Sequence, residues 1–147
     1  MKTKNKTSLK DLNSFRVDCF SSNFNIINNE KEIIDFLVSN KEPDSIILGG
    51  GTNTLFKNNI DKPILKIQIK GIEVINESNN SILISVGAGE VWDDLVNWSL
   101  TNNYGGLENL SLIPGNVGSA PIQNIGAYGV ELKNVFESCR AISIKTG

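Results

Sequence analysis

Apolar and polar positions follow two periods along this chain, one of two residues and one near 3.6, and they divide it into elements. Phe15-Arg16-Val17-Asp18-Cys19-Phe20 alternates and predicts a strand, and Phe24 to Ile27 predicts a second. Behind Asn29, Ile33, Ile34, Leu37 and Val38 recur at helical spacing, with Glu32 three residues on as in a capping box. A helix is therefore expected from about Glu30 to Ser39, broken by Pro43 and Asp44. Ser45-Ile46-Ile47-Leu48 reads as a short apolar strand buried on both faces, with Leu55 and Phe56 resuming the core after a glycine run. Pro63 to Ile67, Gly71 to Ile75 and Ser81 to Val86 read as strands, the last two forming a hairpin that turns over Glu77 to Asn80.

Val91, Trp92, Leu95, Val96 and Leu100 give one apolar face to a helix expected from about Glu90 to Asn103. Glu90, Asp93 and Asp94 fall in its first turn, where the helix dipole favours negative charge. Tyr104-Gly105-Gly106 is its stop. Val135, Ala141, Ile142 and Ile144 mark a last strand region over Lys133 to Ile144, and residues 1–10 read as a flexible polar leader ahead of a domain over 11–147. Strands and helices mix without regular alternation or internal repeat. The class expected is α+β, a mixed sheet with helices on its flank.

One stretch breaks both periods. Ser111 to Gly129 contains no charged residue, four glycines and two prolines, yet its apolar residues Leu112, Ile113, Val117, Ile122 and Ile125 are those of a core. Glycine permits positive φ and close approach by a backbone or a ligand. Gln123 and Asn124 offer donors and acceptors without charge. These features suggest a buried turn that lays main-chain groups against a flat, polar, neutral ring system, with a tight crossover between core elements as the alternative. Tyr128 could stack on or donate to a ligand, or simply anchor a turn by its hydroxyl. Gly49-Gly50-Gly51-Thr52-Asn53, at the end of an apolar strand, suggests a nest of backbone N–H groups suited to a phosphate, or else a plain glycine turn. It matches neither the Rossmann fingerprint nor a P-loop. Gly87-Ala88-Gly89 reads as a strand-to-helix turn, Trp92 and Trp98 as core, and Glu108 as a solvated or capping carboxylate.

Composition narrows the chemistry. With 147 residues, 39% hydrophobic and 20% charged, the chain is long enough for one domain of two small lobes with a real core. A net charge of −2 and no internal Lys/Arg block argue against a nucleic-acid surface. No apolar run approaches the roughly 20 residues of a membrane span, and no apolar region follows the basic first residues as in a secretory signal, so a cytoplasmic protein is expected. There is no histidine, which removes His-based acid–base chemistry, and no metal-ligand spacing. Cys19 and Cys139 read as half-buried free thiols.

Ile47 to Phe56 resembles the pyrophosphate-binding loop of the UDP-N-acetylenolpyruvoylglucosamine reductase (MurB) family. Gly105 to Gly115 and Val117 to Leu132 are similar to that family's second flavin-contacting segment, in the same order and separation, and the likeness runs from about Leu9 to Gly147. The resemblance implies a two-lobed α+β FAD-binding unit of the vanillyl-alcohol-oxidase type. Gly49, Gly50, Gly51, Thr52 and Asn53 would wrap the FAD pyrophosphate. Pro114, Gly115, Asn116, Gly118, Ala120, Pro121, Gln123, Asn124, Gly126, Ala127 and Tyr128 would line the pyrophosphate and the isoalloxazine ring. A Gly51→Val change is expected to block the nest. Thr52 stands where the family usually has serine, and Ser119 where glycine is frequent; both changes are mild.

The family reaction implied is reduction of an enolpyruvyl ether of UDP-N-acetylglucosamine to UDP-N-acetylmuramate for peptidoglycan synthesis, with non-covalent FAD, NADPH as reductant and a UDP-sugar as substrate. The family's catalytic arginine, serine and glutamate lie beyond the position matching Gly147, and Arg140 is not that arginine. No residue here inherits a catalytic role, the family's substrate domain is absent, and this chain alone is expected to be inactive. It reads as either a fragment of such a reductase or one half of a split gene with a separately encoded C-terminal half; the alternative is a non-catalytic remnant or an interaction module.

Overall fold

The computed structural model describes residues 2–39 and 44–144, in two units, Met1–Ile69 with Cys139–Gly147 and Lys70–Ser138. The first unit contains β1 (Lys2–Lys4), β2 (Thr7–Ser8), β3 (Phe20–Ser21), β4 (Phe24–Ile27), α1 (Glu30–Ser39), β5 (Ile46–Leu48) and β6 (Ile64–Ile67). Its main sheet runs β1-β4-β6-β5, with β1 antiparallel and the other three parallel. Phe24 and Ile46 both register with Ile64, which makes β6 the central parallel strand. Consecutive residues of β6 face opposite sides of the sheet. Ile64 enters a core with Leu9, Cys19, Phe24, Leu48 and Phe56, while Leu65 packs with Ile27 and Phe36, on β4 and α1. β5, expected to be buried on both faces, lies at the sheet edge, so Leu48 is buried while Ile47 is 48% exposed. Phe56 joins the core; Leu55 does not.

The helix α1 occupies its expected span. Asn29 Oδ1 accepts the Glu32 N–H at 3.0 Å, and Glu32 Oε2 reaches back to the Asn28 N–H at 2.7 Å, so the box closes one residue earlier than the sequence pattern suggests. Pro43 lies outside the described residues. Two expectations are corrected at the N-terminus. Within residues 1–10, β1 and β2 each pair antiparallel and Leu9 is fully buried, in place of a flexible leader. Phe15 to Cys19 is not a strand. Arg16 turns the chain at φ 51°, and Asn13 substitutes for a strand partner, donating to Leu9 O at 2.7 Å and accepting from the Val17 N–H at 3.1 Å.

The second unit opens with the hairpin β7 (Ile72–Glu77) and β8 (Ile82–Val86), bulged between Val74 and Asn76. Then come α2 (Trp92–Thr101), α3 (Ala120–Gln123) and the short hairpin β9 (Gly126–Ala127) and β10 (Val130–Glu131). Trp92, Leu95 and Val96 of α2 pack with Leu110, Ala120 and Leu132, and Ile72, Ile84 and Val86 close over this core. The helix starts after Val91, because Glu90 is engaged elsewhere: its carboxylate accepts the Gly71 N–H at 2.7 Å and Lys70 Nζ at 3.0 Å. It ends on Asn103 at φ 60°, so asparagine takes the left-handed position assigned to glycine. The strand expected over Lys133 to Ile144 is replaced by a 3-10 turn at Leu132–Asn134 and chain that pairs with no strand among the described residues. Cys19 is buried and Cys139 exposed, both free, rather than both half-buried. The class is α+β, as expected. Among the described residues no helix is long and apolar enough to cross a membrane, and no cluster of three or more His, Cys, Asp or Glu could hold a metal.

Candidate functional site

The glycine loop belongs to the first unit. β5 ends at Leu48, and the chain turns through Gly49 to Asn53 with Gly51 buried at φ +72°. Two of its carbonyls are held from outside: Lys66 Nζ donates to Gly49 O, and the Ser14 N–H donates to Gly51 O at 3.2 Å. Among the described residues, the amides of Gly49, Gly50, Gly51 and Asn53 donate to no acceptor. Unpaired backbone donors gathered in one turn call for an acceptor from outside the chain, and a row of them makes a concavity for an anion. Thr52 is half-buried and Asn53 exposed. The reason glycine is required at 51 differs from the one expected. A Cβ there would lie 1.9 Å from Leu12 O, so a larger residue collides with the 9–13 turn rather than with the nest.

The uncharged stretch belongs to the second unit, and its main chain is tied down on one side. The Trp92 indole donates to Leu110 O at 2.7 Å, and the Trp92 N–H to Gly115 O at 3.0 Å. Asn116, buried, donates through Nδ2 to Gly89 O at 2.7 Å, and the Gly118 N–H reaches Ala88 O at 3.0 Å. A Cβ on Gly118 would sit 2.7 Å from Ala88 Cβ, so this crossing over Gly87 to Val91 needs glycine. Gly87-Ala88-Gly89 is thus a structural turn whose carbonyls serve the stretch. Pro121 is the second residue of the single turn of α3, and Asn124 ends it in the left-handed region at φ 40°. Tyr128 and Gly129, at φ 52° and 80°, make the two-residue turn of the last hairpin.

The other side of the stretch is open, which corrects the expectation of a buried turn. Leu112, Ile122 and Tyr128 are 82%, 87% and 90% exposed. Leu112 holds a left-handed backbone at φ 60°, with its N–H on Asp93 Oδ1 at 2.6 Å. Such a conformation in a branched residue is costly and collects at functional positions. Pro114, Gly115, Asn116 and Gln123 share a crevice of only about 10 Å³. Asn124, Gly126 and Ala127 line an open depression of about 440 Å³ with Gly129, Val130 and Glu131. The Ala120 side chain points into the core and Pro121 is half-buried. Trp92 is core, and Trp98 lies 5.7 Å from the Tyr104 ring. Glu108 caps its own turn: its own N–H and that of Gly106 hold its carboxyl below the usual range. Lys66 and Asp93 are the residues sequence reading missed. A lysine in a strand and an aspartate in a first helical turn carry no motif.

Residues 27–147 match the model of a family described as FAD binding domain. The chain belongs to this family. The UDP-N-acetylenolpyruvoylglucosamine reductase of Flavobacterium johnsoniae is 44% identical over 146 residues, which cover 99% of this chain and 43% of that relative. The enzyme of the same name from Pseudomonas aeruginosa is 40% identical over 142 residues, 95% of this chain and 42% of the relative. The chain thus spans less than half the length of these relatives. The crystal structure of UDP-N-acetylenolpyruvylglucosamine reductase from Thermus caldophilus superposes with a TM-score of 0.66 over 89% of this chain and 45% of its own, at 22% identity, and this likeness shows the fold. The glycine loop by itself fits the pyrophosphate of the FAD that gives the family its description: the amides that Gly49, Gly50, Gly51 and Asn53 leave unused are the donors such a group needs.

Proposed function

We propose that this chain is the FAD-binding portion of the NADPH-dependent reductase that converts UDP-N-acetylglucosamine enolpyruvate to UDP-N-acetylmuramate in peptidoglycan precursor synthesis. The observation that carries the reading is the set of unpaired amides at Gly49, Gly50, Gly51 and Asn53, in a chain whose relatives bear that enzyme's name. In this reading Gly49 to Asn53 donate to the pyrophosphate. Pro114 to Asn116, Gly118, Ala120, Pro121, Gln123, Asn124, Gly126, Ala127 and Tyr128 form the segment that meets the pyrophosphate and the flavin ring.

Bound FAD supplies the hydride chemistry between NADPH and the UDP-sugar. The residues of this chain bind it, orient it and keep water from the ring face they cover. Binding is non-covalent, in keeping with a sequence that lacks histidine. The catalytic side chains and the substrate surface come from a C-terminal half, and the location is cytoplasmic. This chain alone has no turnover.

The test is a flavin titration of the purified chain, followed by absorbance and by flavin fluorescence. Saturable binding of FAD in the micromolar range or tighter is expected, without oxidation of NADPH when the UDP-sugar is added. A chain that unfolds cooperatively yet binds no FAD would refute the cofactor reading, and substrate-dependent NADPH oxidation would refute the absence of turnover.

A further inference from the structure

The peptide between Gly49 and Gly50 has a glycine on each side, so no Cβ hinders its rotation as a rigid plate. Its two polar groups point in opposite directions. With the N–H turned into the nest it is a donor to an anion; flipped, the same peptide presents a carbonyl oxygen and repels it. Which face it shows is therefore decided by what holds the Gly49 carbonyl. In the structure that group is Lys66. Lys66 lies on β6 in register with Leu48, the last residue of β5, and its ammonium donates to Gly49 O. The next carbonyl but one, that of Gly51, is held by the Ser14 N–H at 3.2 Å, and Leu12 packs under the same residue. Both contacts lie within the first unit, and they hold alternate peptides of the loop by their carbonyl oxygens.

We infer that Lys66 is the positioning residue of the anion-binding loop: by holding the Gly49 carbonyl it keeps the Gly50 N–H turned into the nest. The ammonium also polarises the peptide it binds, which makes the Gly50 N–H a stronger donor. The inference rests on the proposal that the loop receives the pyrophosphate of FAD, and it adds a side chain that the loop sequence does not contain.

The experiment compares the wild-type chain with Lys66→Met and Lys66→Arg by FAD titration, thermal unfolding and the amide spectra of chain labelled with ¹⁵N-glycine. Lys66→Met is expected to unfold cooperatively within several degrees of the wild-type temperature and to bind FAD about tenfold more weakly, the scale of losing one well-placed charge-assisted contact. Its Gly50 amide signal is expected to broaden or split in the free chain. Lys66→Arg keeps a cationic donor and is expected to restore both the affinity and the single signal. Should Lys66→Met fail to fold, Lys66→Gln is read in the same way. Unchanged FAD affinity, or an unchanged Gly50 signal in the free chain, overturns the inference. If the wild-type chain binds no FAD, the cofactor reading fails and the Gly50 signal alone decides the role of Lys66.

Discussion

Replacing Gly51 by alanine tests how the glycine loop is built. The residue sits at φ +72°, where an L side chain costs about 1–2 kcal/mol. The added Cβ would also come within 1.9 Å of Leu12 O, 2.9 Å of Leu12 C and 3.3 Å of Asn13 Cα. These are backbone atoms, so the collision is relieved only by moving the 9–13 turn. That turn is held by the Leu12 N–H on Leu9 O at 2.9 Å, by Asn13 Nδ2 on Leu9 O at 2.7 Å and by the Ser14 N–H on Gly51 O at 3.2 Å. Losing two of these bonds costs about 2 kcal/mol at roughly 1 kcal/mol each. The expected total is about 3–4 kcal/mol, which lowers the melting temperature of a chain of this length by about 10 °C. Gly129→Ala is the control: φ is +80° but nothing lies within 4 Å of the new Cβ, so only the backbone term remains, a shift of about 3–6 °C. Thermal unfolding by circular dichroism measures both. Equal shifts for the two variants would refute the steric argument.

Gly118→Ala meets Ala88 Cβ at 2.7 Å and Ala88 O at 2.9 Å; it is expected to cost about 1–3 kcal/mol by urea unfolding, and Ala88→Gly in the same chain to recover part of it. Leu112→Gly removes a large exposed side chain and a strained backbone together, so stability should stay within about 1 kcal/mol of wild type while FAD affinity falls; Leu110→Ala, in the core, should cost about 2–5 kcal/mol. The Glu90 carboxyl is held below the usual carboxylate range, first by the Gly71 N–H and then, against partial burial, by Lys70. A lowered folded-state pKa contributes stability above the unfolded value and loses it as pH falls through the folded one. The difference in urea midpoint between wild type and Glu90→Gln should therefore be full at neutral pH and close below the ordinary carboxylate range. A gap that stays constant with pH would sink that reasoning.

Elements whose burial pattern follows from local period were legible in the sequence: α1, β4, β6 and the β7–β8 hairpin all occupy their expected places. What escaped depends on partners distant in sequence. Alternation at Val17 and Cys19 records real inward-facing positions, but a strand also needs a neighbour, and there the Asn13 side chain stands in for one. Ile47 is apolar and still half exposed, because edge position is a property of strand order and not of composition. Glu90 looked like the acidic start of a helix, and only the fold brings Gly71 to it. The two glycine-bearing segments stood out in the sequence as candidates. The openness of the second was not, since Leu112 and Ile122 are residues a sequence assigns to a core.

The strand order β1-β4-β6-β5 has a consequence for assembly. The strand that arrives last from the ribosome inserts between two that arrive first. Phe24 waits for Ile64, and Ile46 waits for the same residue, so neither β4 nor β5 gains a parallel neighbour until β6 arrives. The β7–β8 hairpin, closed over Ser78 to Ser81, forms on a scale of microseconds, whereas β6 must close a loop of about 18 residues to reach β5 and about 40 to reach β4, so the parallel sheet folds correspondingly later. Until Ile64 to Ile67 is in place, β4 and β5 each present an open edge. Lys66 travels on that same strand. The glycine loop therefore gains its outer anchor when β6 pairs with β5.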